Sequence, residues 1–105
     1  MEYQLQQMKA REFMPGYKGK ILHTERMSLV FWEVEAGAEV PVHHHENEQI
    51  MHVLEGTFHL AVAGRGRDYG PGSVVVIPSG SPHGGKALTQ CRLIDVFSPV
   101  REAYR

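Results

Sequence analysis

From Lys20 onward the chain is written in short runs whose apolar residues recur at period two, the spacing of strands rather than helices. The run Met27 to Glu35 (MSLVFWEVE) puts Val30, Trp32 and Val34 on one face and Leu29 and Phe31 on the other. Apolar residues on both faces suit a strand held between two layers. Gln49 to Leu54 reads as a second strand bounded by Glu55-Gly56. Thr57 to Ala63 follows, with Phe58, Leu60 and Val62 opposite Thr57, His59 and Ala61, and Gly64-Arg65-Gly66 reads as a hairpin tip. Ser73 to Ile77 is a short apolar strand stopped by Pro78, and Cys91 to Phe97 is another, stopped by Ser98-Pro99. Many short strands punctuated by Gly and Pro predict an all-β antiparallel sandwich or barrel. Residues 1 to 14 show no clean period and suit a short helix or an edge segment. Met14 to Gly19 is a turn by composition, because Pro fixes φ and Gly permits positive φ. The reading therefore separates an N-terminal segment, residues 1–19 (edge strand or arm), from one β domain, residues 20–105.

Composition narrows the picture only a little. At 105 residues there is room for one domain and not for two. Apolar residues at 42% and charged residues at 22% exclude a disordered chain. Eleven basic residues nearly balance twelve acidic ones without a charge run, so neither a nucleic acid nor a membrane is expected as partner. The polar start, MEYQLQQMKAREF, reads as neither export signal nor membrane span. The single cysteine, Cys91, has no internal disulfide partner, and a reducing, cytoplasmic setting is expected.

The chemistry concentrates in two segments. In the first, Gly37 is followed after five residues by His43-x-His45, then Gln49, then Gly56. In the second, Gly72 is followed after five residues by Pro78-x-Gly80 and then His83. On a regular strand His43, His45 and Gln49 are even steps apart, so the expectation is that they line one wall while His44 and His52 point away. His83, after the Pro-Ser-Gly-Ser-Pro turn, is the natural candidate to complete a metal site. Glu48 is an alternative to Gln49 if the strand is bulged. His23, His59, Arg65 and Arg67 are expected on the surface.

These two segments, in order and spacing, resemble the paired motifs of the cupin family over residues 20 to 100. The resemblance implies a double-stranded β-helix (jelly-roll) barrel, often homodimeric, that binds one divalent metal through His43, His45, Gln49 and His83. Gln49 departs from the Glu usual at its position. An all-neutral ligand set leaves the ion's full charge uncompensated and favours Lewis-acid chemistry. Nickel or zinc is favoured over iron, manganese or copper, all of which accept nitrogen ligands.

Beyond the barrel motifs, Asp95-x-Phe97-Ser98-Pro99-x-Arg101 puts an acid and an aromatic ring two apart on a strand, with an Arg just after it. An acid in a half-apolar mouth suits proton transfer, and an Arg suits capture of a carboxylate. Together with HxHxxxQ this tail resembles the cupins of pectin and alginate breakdown, which open the ring of 4,5-unsaturated monouronates to linear keto acids. That resemblance implies catalytic roles for Asp95, Phe97 and Arg101 and a carboxylated sugar as substrate. A cupin dioxygenase and a sugar- or ligand-binding cupin without catalysis are the alternatives.

Overall fold

The computed structural model describes all 105 residues. A 3-10 turn, Leu5–Gln7, precedes ten strands: β1 Arg11–Met14, β2 Tyr17–His23, β3 Ser28–Val34, β4 Glu39–His43, β5 Glu48–Glu55, β6 Phe58–Val62, β7 Arg65–Tyr69, β8 Val74–Ile77, β9 His83–Ala87 and β10 Cys91–Ser98. A last 3-10 turn, Glu102–Tyr104, closes the chain. Two antiparallel sheets result, one in the order β1-β2-β3-β10-β5-β8 and the other β4-β9-β6-β7. This is the all-β jelly roll expected.

From β3 to β10 the chain changes sheet at nearly every turn. The exception is the β6–β7 hairpin, where Ala63 and Gly64 both take positive φ, as a two-residue turn requires. Changing sheets is what brings a compact sequence motif onto both walls of the barrel. The inner faces meet in one core. Val30, Trp32 and Val34, the same-face trio of β3, pack there with Met51, Val53 and Leu93 against Phe58 and Leu60 of the other sheet.

Several expectations shift. The hairpin tip lies one step earlier than Gly64-Arg65-Gly66, because Arg65 and Gly66 already pair with Val62 and Ala61 in β7. A division after residue 19 runs through β2, which begins at Tyr17 and pairs along its whole length with β3. The apolar run of β8 is an edge strand, with Val74 and Val76 facing solvent at 61% and 58% exposure. The larger correction concerns parity. His43, His45 and Gln49 do not share a strand face. His43 ends β4 in one sheet, His45 lies in the loop beyond, and Gln49 stands in β5 of the other sheet.

Candidate metal centre

His43 and His83 are directly paired across β4 and β9. A shift of register between Val40 and His43, around Pro41, turns the end of β4 inward. Their rings lie 4.4 Å apart, and the loop after β4 brings the His45 ring to 4.8 Å from His83. One ligand atom from each of the three histidines falls within 4.8 Å of the other two. These three could hold a metal ion.

The donor chemistry fits that use. In all three rings Nδ1 faces a backbone carbonyl two residues away: Pro41 for His43 at 2.9 Å, Asn47 for His45 at 3.0 Å and Ser81 for His83 at 2.9 Å. A carbonyl only accepts, so Nδ1 carries the proton and Nε2 keeps its lone pair for an ion. Burial lowers the pKa of His45 and His83, and the nearby Arg101 cation lowers both further. Both therefore stay neutral at pH 7, as a ligand must.

Gln49 faces this trio from the opposite sheet, its Oε1 3.2 Å from His45 Nε2. Glu48, the alternative acid, is exposed, and no bulge turns it inward. Next to Gln49 on β10 is Phe97, whose ring meets the His45 ring edge-on at 5.6 Å. Phe97 is both core and cavity wall. Asp95, two residues back, is buried. Its Oδ2 accepts the Trp32 indole N–H at 2.9 Å, and its Oδ1 has no partner. Burial raises its pKa to about 6, against the opposing influence of the Gln49 amide and the Trp32 indole.

The cavity between the sheets is lined by His43, Gln49, His83, Asp95 and Phe97 on the polar side. Gly84 and Gly85 line it beside His83. A Cβ on Gly84 would sit 2.9 Å from the Val40 carbonyl, and one on Gly85 2.6 Å from the Phe58 ring. Arg101, just past β10, stands over the Tyr104 ring at 5.1 Å.

Three cavity residues escaped the sequence reading. Trp32 was assigned only to the core, yet it supplies the hydrogen bond to Asp95. Tyr17 and Tyr104 also line the cavity, packing edge-on against Trp32 at 5.8 and 5.7 Å. Tyr104 follows Arg101 by three residues, so one 3-10 turn puts both on the same side. That spacing was the available signal.

The remaining histidines play no part in the centre. His44 is exposed, His52 is on the outward face of its sheet between Val74 and Ile94, His59 pairs with Asp68 at 2.7 Å, and His23 meets Ser28 at 2.7 Å.

Residues 30–97 match the family model described as "Cupin domain", and the chain belongs to the cupin family. It is similar to an RmlC-like cupin from Shewanella frigidimarina, at 31% identity over 98% of this chain and 94% of that one, with a TM-score of 0.93. KdgF from Halomonas sp. is also similar, at 31% identity over 98% and 96% with a TM-score of 0.92. The polyketide cyclase RemF from Streptomyces resistomycificus matches at 31% identity over 93% and 78%, with a TM-score of 0.79. No curated protein sequence matches this chain. No helix is long and apolar enough to cross a membrane.

Proposed function

We propose that this cupin opens the ring of 4,5-unsaturated monouronates, giving linear keto acids. One observation carries the reading: a buried carboxyl with one free oxygen, on Asp95, shares a cavity with His43, His83 and Gln49, while the third histidine, His45, lies against His83 and feels the Arg101 cation. The likeness to KdgF over almost the whole of both chains supports it. His43, His45, His83 and Gln49 would hold one divalent ion, nickel or zinc in preference to iron, manganese or copper. When bound, that ion supplies Lewis acidity at an oxygen of the sugar.

The rest of the chemistry falls to the chain's own side chains. Asp95 Oδ1 takes the proton of the anomeric hydroxyl as the bond from that carbon to the ring oxygen breaks, leaving an aldehyde and an enolate. The same carboxyl delivers that proton to C4, converting the enolate to a ketone, so no atom is gained or lost. Arg101 holds the substrate carboxylate, and Phe97 packs against the ring. The cavity encloses about 50 Å³, room for an ion and its water. A sugar ring needs more room than this, so its binding requires the lining to move.

The test is turnover of an unsaturated uronate, followed by loss of its ultraviolet absorbance, with metal content measured on the same sample. Asp95→Ala should keep its metal and lose roughly 10²–10⁴-fold in rate. Full activity in that variant would remove Asp95 from the mechanism. A metal-loaded wild-type protein inert toward the uronate would sink the substrate assignment. Oxygen uptake with an aromatic or thiol substrate would then favour a dioxygenase, and binding without change would favour a sensor. We also propose a cytoplasmic homodimer, paired through the outward face of the larger sheet, where exposed Val76 pairs with exposed Ile50 and Val74 with His52. Sedimentation at micromolar concentration would show a monomer if that is wrong.

A further inference from the structure

Asn47 lies in the loop between β4 and β5 and is buried, although both its neighbours, Glu46 and Glu48, are exposed. Burying an amide is costly unless its polar atoms find partners, and here they find them on two functional segments. The Asn47 backbone carbonyl accepts the Nδ1–H of His45 at 3.0 Å. Its side-chain Nδ2 donates to two successive carbonyls, Pro99 at 2.6 Å and Val100 at 3.2 Å. That amide nitrogen has two hydrogens, and both are used. The next residue in the chain is Arg101, whose own N–H donates to the fully buried Ser28 hydroxyl at 2.8 Å. On its other flank the loop is tied to the turn before β9, by Ser79 Oγ to the Glu46 carbonyl at 2.6 Å and by Gly80 N–H to the His45 carbonyl at 2.9 Å. Asn47 is the tie on the Arg101 side.

We propose that Asn47 is a positioning residue that sets the His45 ring and the base of Arg101 together, linking metal affinity to carboxylate binding. Its main chain orients a metal-binding ring while its side chain fixes the residues that launch the Arg. Loosening the side-chain tie frees both ends. Ser28 holds only the Arg101 end. The Arg101 half of this inference rests on the function proposed above, and the His45 half does not.

The experiment compares wild type, Asn47→Ala, Ser28→Ala, Arg101→Ala and the Asn47→Ala/Arg101→Ala double variant. Zn(II) affinity is read by competition with a chromophoric chelator, and KM for the unsaturated uronate at saturating metal. Asn47→Ala should weaken Zn(II) binding about tenfold, the low end for an outer-sphere partner of a ligand, with or without Arg101→Ala. It should raise KM severalfold in the wild-type background and not in the Arg101→Ala background, the coupling expected of residues acting through one another. Ser28→Ala should raise KM and leave Zn(II) affinity unchanged. Wild-type Zn(II) affinity in Asn47→Ala would overturn the proposal. So would a loss of affinity in Ser28→Ala as large as that in Asn47→Ala, which would mean general loosening. If Asn47→Ala does not fold, Asn47→Ser, which keeps one short donor, takes its place and should fall between wild type and Ser28→Ala in KM, with weakened Zn(II) binding. A wild-type protein with no uronate turnover would refute the proposed function, and the Zn(II) comparison would still decide the His45 half.

Discussion

The two walls of the cavity are finished to different degrees. On the histidine wall, each ring's proton-bearing nitrogen faces a carbonyl two residues along its own chain. Those partners come from local backbone, so the donor set is oriented before anything binds. On the opposite side lie the three buried side-chain polar atoms that have no partner: Tyr17 Oη, Asp95 Oδ1 and Arg101 Nε. A buried polar group left unpaired costs about 1–3 kcal/mol, so this side is held in an unfavourable state by the packing around it. The difference separates binding from chemistry. In the function proposed above, the histidine wall would hold the ion in one geometry, and the open valences of the other wall would meet the substrate.

The largest effect should come from breaking the finished wall. His83→Ala removes one of three convergent nitrogens, and its neighbours Gly84 and Gly85 cannot supply another. Zn(II) affinity should fall by more than about 100-fold, beyond the range seen for outer-sphere changes, as measured by chelator competition. Unfolding of the metal-free variant, compared with metal-free wild type, separates loss of the ligand from loss of a buried ring. A variant that still binds Zn(II) tightly would show that the trio is not the donor set.

How much of this was readable in the sequence divides along the same physical lines. Strands with apolar residues facing the core, β3, β5, β6 and β10, were legible to within a residue or two, because period-two burial is a local property. The strands that were missed or half seen are chiefly edges, and an edge strand needs no such signature. β1, β4 and β7 each border a sheet. Pro41 is tolerated inside β4 because an edge leaves its missing N–H without consequence. β9 is central, but its Gly84-Gly85 pair reads as a turn. Only the structure shows that β4 and β6 press too close for side chains there. The structure brings His43, His45, Gln49 and His83 close together, though not for the reason their spacing suggested. Even spacing suggested one strand face, whereas the jelly roll draws them from two sheets and a loop. Trp32 and Asn47 reach the site through partners more than fifty residues away, for which local sequence has no sign, whereas Tyr104 was within reach of its three-residue spacing from Arg101.

A smaller effect should expose the cost of the unfinished wall. The folded Asp95 has a pKa of about 6, above its ordinary 3.8, because burial penalises the charged form. A raised carboxyl favours folding fully below the unfolded value, and that advantage is lost as pH rises through the folded one. Metal-free wild type should therefore lose stability on this group's account between pH 4 and pH 7, by at most about 3 kcal/mol at 1.36 kcal/mol per unit. Asp95→Asn keeps an acceptor for the Trp32 indole and cannot ionise. In urea titrations with EDTA it should match wild type near pH 4 and exceed it increasingly toward pH 7. The surrounding Tyr17 and Tyr104 hydroxyls are neutral throughout that range, their pKa values being raised by burial. A constant difference across the range would mean that Asp95 is not the titrating group.

The smallest effect concerns Tyr17, and it tests whether the open valences are truly open. The Tyr17 ring is part of the core, packed edge-on to Trp32, and the residue is only 3% exposed. Its hydroxyl meets no protein partner. Tyr17→Phe keeps the ring and deletes the one atom that gains nothing from folding. Metal-free Tyr17→Phe should accordingly be as stable as wild type or more stable, by up to about 1 kcal/mol. With substrate, the same change should raise KM if the hydroxyl serves as a donor at the deep end of the cavity. A loss of more than about 1 kcal/mol in the metal-free protein would mean that an ordered water already satisfies the phenol. The contrast between the walls would then narrow to Asp95 and Arg101.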